Sequence, residues 1–212
     1  VFKARSDVGP DSKEHYVNVA KRICAETPNS YMAGQFTNPS NPSAHELTTG
    51  PEIYKQLGGK VDAVVCGVGT GGTISGLGKY FEKKSPHTEM ILADPKGSIV
   101  KDKVEKNIIK DADYSWLVEG IGEDFIPDTL EIKYIKKAYE ISNEEAFKTI
   151  KILALNEGIL AGSSSGTLIS AALKYCKEQK EPKNVVTFVC DNGEKYLNTA
   201  YNNIWLKEKN LI

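Results

Sequence analysis

The strongest chemical signal in the chain is the run Gly67-Val68-Gly69-Thr70-Gly71-Gly72-Thr73. Glycines let consecutive backbone N–H groups converge, and a helix opening directly after them adds a partial positive charge. Together these make an anion site, most naturally for phosphate. Thr70 and Thr73 add hydroxyl donors, which suit the exposed oxygens of a terminal phosphate monoester. Residues 67–72 also satisfy G-x-G-x-x-G, and Asp94 ends the next strand. A nicotinamide-dinucleotide site is therefore a competing reading. Pro95 directly after Asp94 argues for a loop there rather than a ribose clamp. A tight turn without ligand is the third reading. A nucleoside-triphosphate loop is excluded, because no Gly-Lys-Ser/Thr follows.

A second run, Gly162-Ser163-Ser164-Ser165-Gly166, again precedes a helical pattern. Its hydroxyls either cap that helix or reach a ring carried by the phosphate. The histidines His15, His45 and His87 are scattered without ligand spacing, and structural or surface roles are expected for them. Cys24, Cys66, Cys176 and Cys190 form no C-x-x-C pair, so neither zinc nor redox chemistry is signalled. Cys66 and Cys190 sit in apolar, strand-like runs and read as buried inert thiols. No metal site is expected.

These groups need a scaffold, and the pattern supplies one. Residues 61–66, 89–93 and 185–189 are apolar runs of strand length, as in strands buried on both faces. A helix is expected from Asp11 or Ser12 to Pro28, another over 44–57 with a break at Gly50-Pro51, and a third over 73–84. Residues 31–36 read as a strand, 37–42 as loop, 94–114 as irregular and 117–121 as a short strand. Two helices are expected next, the second opening with the capping box Ser142-Asn143-Glu144-Glu145. A helix over 167–177 and a helical tail from Glu194 complete the chain. Alternation of strand and helix predicts an α/β fold, a three-layer parallel sheet with helices on both faces. In such sheets ligands bind at the carboxyl ends of the strands, where both glycine-rich runs fall.

The chain has 212 residues, with 27 Lys plus Arg against 28 Asp plus Glu and a net charge of −1. That balance gives no electrostatic footprint for nucleic acid or an anionic membrane. No long uncharged apolar run is present, so no membrane span is expected. Without a signal peptide, a cytoplasmic location is the default expectation. The sequence opens at Val1 in what reads as a strand already under way, so a missing N-terminal part is expected.

At this point the residues resemble a known family. The matching stretches are Gln35-Phe36-Thr37-Asn38-Pro39, Ala44-His45, Thr49-Gly50-Pro51-Glu52-Ile53, Gly69-Thr70-Gly71-Gly72-Thr73, Asp94-Pro95-Lys96-Gly97-Ser98, residues 119–127 and the Gly-Ser-Ser-Ser-Gly run. Together they are similar to the fold-type II pyridoxal-phosphate enzymes, which share a fold like that of the tryptophan synthase β chain. Within that family they resemble the cystathionine β-synthase branch first and the cysteine synthase branch next. The resemblance implies pyridoxal 5′-phosphate as cofactor, held at its phosphate by Gly69, Thr70, Gly71, Gly72 and Thr73 and at its ring nitrogen by Ser164. It implies Gln35, Glu119 and Asp124 on the substrate side. It also implies residues 1–35 as the end of a small domain, residues 36–212 as the large cofactor-binding domain, and a homodimer.

The implied reaction is a lyase-type β-replacement joining L-serine to L-homocysteine, with small amino acids as substrates and a second copy of the chain as partner, and no nucleic acid or membrane. The transferase that uses O-acetylserine and sulfide is the alternative. A nicotinamide-dependent dehydrogenase and a catalytically dead binding homologue are rivals of other classes. The family's Schiff-base lysine lies in a segment that this sequence does not match, so no catalytic residue is assigned here and that lysine is expected upstream.

Overall fold

Residues 61–66 are apolar at every position but Asp62, and such a run is stable only with cover on both faces. In the structure, a computed structural model describing residues 1–5, 8 and 11–212, they form β1 (Ala63–Cys66) at the centre of a sheet. β1 pairs in parallel with β2 (Glu89–Pro95) and with the two-residue β4 (Val185–Val186). β2 pairs in parallel with β3 (Ile135–Ile141), giving the order β3-β2-β1-β4.

Strand alternation then divides the core. Val64, Cys66, Met90 and Leu92 face one side and pack on Ile74, Leu77 and Phe81 of α4 (Gly72–Lys84). Ala63, Val65, Ile91 and Ala93 face the other and pack on Leu168, Ala171, Ala172 and Tyr175 of α7 (Ser163–Glu178). Each helix buries an apolar stripe and leaves its far face to charge, as in Lys83 and Lys84 or Lys174 and Lys177. A third cluster joins Phe147 and Ile150 of α6 (Asn143–Glu157) to Tyr196, Ala200 and Leu206 of the C-terminal segment. The three-layer α/β arrangement follows.

The capping box forms as expected. Glu145 N–H donates to Ser142 Oγ at 3.2 Å, and Ser142 N–H donates back to Glu145 Oε2 at 3.1 Å. Elsewhere local reading and structure part. The first of the two helices expected before Ser142 is instead β3. Its Ile135, Ala138 and Ile141 mimic a helical period, but β2 offers the segment a parallel ladder along one edge, from Met90↔Ile135 to Pro95↔Ile141. Residues 31–36 form no strand, because Gly34 turns the chain at φ +61° and takes the Thr37 and Asn38 N–H groups on its carbonyl. Residues 37–42 are not all loop. Asn38 Oδ1 accepts the Ser40 N–H, and α2 (Ser40–Ala44) begins there, with Pro42 tolerated in its first turn.

Gly50-Pro51 does not break its helix. A π-helical turn (His45–Thr49) runs into α3 (Gly50–Gln56), whose second residue is proline. Gly50 packs against the Tyr80 ring, where a Cβ would come within 2.6 Å. The first helix begins at Tyr16, with His15 at its N-cap rather than Asp11 or Ser12, and spans α1 (Tyr16–Glu26). Within the irregular stretch after Asp94 lies α5 (Val100–Lys106). Residues 117–121 are not a strand: Leu117 N–H donates to Asn143 Oδ1 and Glu119 N–H to Ser163 Oγ, so side chains replace a partner strand. The run 185–189 pairs only at Val185–Val186. Beyond Glu194 the chain forms a 3₁₀ turn (Gly193–Tyr196) and then α8 (Asn203–Glu208), with no continuous helix. Among the described residues no helix is long and apolar enough to cross a membrane.

Candidate active site at the carboxyl edge of the sheet

A cavity of about 590 Å³ opens where β1 ends and α4 and α7 begin. That size falls in the usual range for small-molecule sites, roughly 300–1,000 Å³. Gly69, Thr70, Gly71, Thr73, Glu119 and Ser164 line it, so both glycine-rich junctions open onto one space. Gly72 begins α4 directly behind this lining.

The first junction has no room for a side chain at Gly69 or Gly71. Gly71 is the α4 N-cap at φ +80°, and a Cβ there would fall 2.7 Å from the Leu130 Cβ. A Cβ on Gly69 would lie 2.5 Å from the Gly120 carbonyl oxygen. The N-cap Gly71 has no side chain to cap α4; the Gly72 N–H goes to Thr70, and the next N–H groups, of Thr73 and Ile74, are left to a ligand. Thr70 Oγ1 accepts from Asn41 Nδ2 at 2.8 Å and from the Gly72 N–H at 3.3 Å. Among the described residues its own proton has no acceptor. An anion in the cavity would supply one.

The second junction works differently. Ser163 Oγ accepts the Glu119 N–H at 3.2 Å, and Ser165 Oγ accepts the Cys190 N–H at 3.0 Å. Both serines are thus committed to holding neighbouring segments. Ser164, also buried, faces the cavity, where its hydroxyl meets the Cys190 thiol, a weak partner.

Three further residues bear on the site. His45, expected to be structural, lines the cavity. Its Nε2 lies 3.2 Å from Thr73 Oγ1 and its Nδ1 lies 3.0 Å from Thr49 Oγ1, and burial lowers its pKa. The neighbouring motif Ala44-His45 was legible, but one sequence shows no partner for the ring. Cys190 is not in a strand and is exposed at the cavity rim, whereas Cys66 is buried there, its thiol pKa pushed up by desolvation. Glu123 stands beside Gly69. Burial, then the charges of Asp124 and Asp94, push its pKa up to about 8, so it is largely protonated at neutral pH and does not repel an anion there.

Not every expected residue reaches the cavity. Asp124 is exposed and accepts the Tyr114 hydroxyl at 2.9 Å. Gln35 is exposed too, with its carbonyl oxygen accepting from Asn41 Nδ2 at 2.9 Å. Thr129 fastens the same segment, its N–H on the Phe36 carbonyl at 3.2 Å and its hydroxyl on the Thr70 carbonyl at 2.5 Å. Gln35 is thereby tied to the glycine-rich turn without lining the cavity. Asp94 is buried, and its Oδ2 accepts the Lys101 N–H at 2.8 Å. It caps α5 instead of facing a ribose, which removes the acidic residue that a dinucleotide site needs. Burial raises its pKa to about 6. Among the described residues no group of three or more His, Cys, Asp or Glu could hold a metal, and no lysine lines the cavity.

Residues 4–191 match the family described as "Pyridoxal-phosphate dependent enzyme". The chain belongs to this family. Its cofactor is pyridoxal phosphate, and the cavity fits it: a donor-rich turn with no room for bulk at Gly69 and Gly71 at one junction, and the Ser164 hydroxyl at the other. The sequence is similar to the cystathionine beta-synthase of Apis mellifera, 36% identical over 212 residues, covering 100% of this chain and 42% of that protein. It is 38% identical over 209 residues to that of Saccharomyces cerevisiae, covering 95% of this chain and 41% of the relative. Cysteine synthase A of Escherichia coli (strain K12) is 40% identical over 189 residues, covering 87% of this chain and 58% of that protein. The chain thus spans about two-fifths of the length of these two cystathionine beta-synthases.

Proposed function

We propose that the protein catalyses a β-replacement on a small amino acid, joining L-serine to L-homocysteine to give L-cystathionine and water. The observation that carries this reading is the division of labour between the two junctions. The first would hold the cofactor phosphate through Gly69, Thr70, Gly71, Gly72 and Thr73. The second offers the ring nitrogen one neutral hydroxyl, that of Ser164. When bound, the cofactor supplies an electron sink for the substrate's α-carbon. A hydroxyl at the nitrogen leaves it unprotonated and the sink moderate, which suits loss and replacement of a β-substituent. Glu119, which lines the cavity, would face the second substrate, and Gln35 would act from its tethered segment on the first.

Residues 1–35 would form the C-terminal end of a small domain, and residues 36–212 the large cofactor-binding domain. The lysine that carries the cofactor would come from outside residues 1–212, in keeping with a cavity lined by none.

The run from Gly120 to Pro127 and the similarity to two cystathionine beta-synthases favour serine and homocysteine. Residues 193–197, Gly-Glu-Lys-Tyr-Leu, and the similarity to cysteine synthase A favour O-acetylserine and sulfide as the second reading. Supplying each substrate pair, with pyridoxal phosphate, to protein that carries that lysine as well as residues 1–212, and identifying the product by mass spectrometry, decides between them. Cystathionine is expected. Cysteine formed from O-acetylserine and sulfide, with no cystathionine, would replace the first reading by the second.

A further inference from the structure

We infer that Asn41 is a positioning residue for the phosphate site: its side-chain amide makes the Thr70 hydroxyl an obligate donor to a phosphate monoester. The inference rests on the phosphate assignment above and extends it to a residue outside the glycine-rich run. Asn41 lies in α2, 29 positions before Thr70, yet its Nδ2 donates to Thr70 Oγ1 at 2.8 Å and to the Gln35 carbonyl oxygen at 2.9 Å. A carbonyl oxygen only accepts, so the bond to Gln35 fixes which end of the amide is nitrogen. The nitrogen therefore donates to Thr70 as well.

The consequence follows from counting. A hydroxyl oxygen has two lone pairs and one proton. Both lone pairs of Thr70 are occupied, by Asn41 Nδ2 and by the Gly72 N–H at 3.3 Å. The proton must point elsewhere, and Thr70 lines the cavity. An unconstrained threonine could accept from one neighbour and donate to another; here only donation is left. Donation to a dianionic phosphate is the strong form of this bond. Gly72 has its own place in the arrangement. A Cβ on it would lie 1.9 Å from Asn41 Oδ1, so a glycine is what lets Asn41 approach. The same amide holds the Gln35 segment, so the phosphate turn and the substrate side share one side chain.

Asn41→Asp tests this with almost no change in shape. A carboxylate cannot donate, so it takes the Thr70 proton away from the ligand. Binding of inorganic phosphate, followed by its ³¹P shift at pH 8, should weaken about tenfold or more, the usual scale for a hydrogen bond to a charged group. The carboxylate also repels phosphate directly, so the same change is made in a Thr70→Val background, a double-mutant cycle. There the loss should shrink to about threefold or less, since only repulsion is left. Asn41→Ala adds no charge and keeps the inference testable if the aspartate variant does not fold. It should cost about threefold with Thr70 present and next to nothing in the Thr70→Val background. Equal losses in the two backgrounds for both variants would overturn the role. A Gly71→Leu variant that binds phosphate as tightly as the unaltered protein would overturn the phosphate assignment itself, and this role with it.

Discussion

The two glycine-rich junctions occupy equivalent places, each at the start of a long helix on opposite faces of one sheet, yet they are built in opposite ways. Around Gly71 the chain removes side chains so that backbone N–H groups and two threonine hydroxyls are left to converge. Around Ser164 it keeps side chains but commits the flanking serines, so that one hydroxyl remains. A phosphate spreads about two charges over three oxygens and needs many donors. A ring nitrogen is one small site and needs one. Backbone donors cannot be altered by a point change except by adding bulk, whereas a hydroxyl can simply be deleted. The two junctions should therefore fail differently.

The largest effect is expected from bulk at the first junction. Gly71→Leu forces a side chain onto φ +80° and against Leu130. The left-handed backbone costs about 1–2 kcal/mol and the overlap about as much again, so roughly 3 kcal/mol of stability should be lost. Phosphate affinity should fall on the order of a hundredfold, about 2.7 kcal/mol. Denaturant midpoints and phosphate titration check the two separately. Gly162→Ala is the counterpart. Its φ of −74° suits any residue, so its cost is purely steric: the new Cβ would meet Asp191 Oδ1 at 1.8 Å. About 2 kcal/mol of stability should go, with phosphate affinity within about twofold of normal. Loss of phosphate binding in this variant would mean that the junctions are not independent.

Much of this was legible beforehand, and the reason is local. The Gly67–Thr73 run, the strand at 63–66 and the Ser142 box are each set by adjacent residues, and each forms. What was hidden is set by partners distant in sequence. His45 looks like an ordinary helix residue and Asn41 like a loop residue until α2 and the turn after it are packed on α4, which brings them to Thr73 and Thr70. Glu123 sits in a readable motif, but only the fold places it near Gly69 and Asp94 and buries it. Residues 135–141 became a strand because β2 had an open edge, and nothing within those seven residues records that edge. The division of the three serines likewise depends on Glu119 and Cys190, neither of them neighbours in sequence.

A smaller, pH-dependent effect separates the junctions by charge. Glu123 has an ordinary pKa of 4.5 and is pushed up to about 8 in the folded chain, chiefly by burial. The folded state therefore holds the proton more tightly than the unfolded state does. Its contribution to stability is complete below about pH 4.5 and is lost as pH rises through about 8. Because the carboxyl keeps solvent on one side, that loss should be about 1.5 kcal/mol. Glu123→Gln should flatten stability across this window. It should also strengthen phosphate binding at pH 9, where the native carboxylate repels the anion, and leave it unchanged at pH 5. An unchanged slope of stability between pH 5 and pH 9 would show that Glu123 is not buried as described.

The finest distinction lies within the serine run. Ser163 and Ser165 each accept a backbone N–H that would otherwise be unpaired, so Ser163→Ala and Ser165→Ala should each cost about 1 kcal/mol of stability. Ser164 accepts no such donor and has only the Cys190 thiol beside it, so Ser164→Ala should cost less than about 0.5 kcal/mol. Turnover should show the reverse order, with Ser164→Ala the most impaired, because it alone removes the hydroxyl facing the cavity. Phosphate affinity should be untouched in all three, since the hydrogen bonds of these serines run to Glu119 and Cys190 and not to the Gly69–Thr73 turn. Ser164→Asp sharpens the point: a carboxylate against the ring nitrogen favours its protonation, which strengthens the electron sink and should shift the absorbance of the cofactor-loaded protein. Denaturation midpoints, turnover and that spectrum give three independent readings. If Ser164→Ala proves as destabilising as its neighbours while turnover and spectrum stay native, all three serines hold structure and the second junction has no hydroxyl left for a ligand.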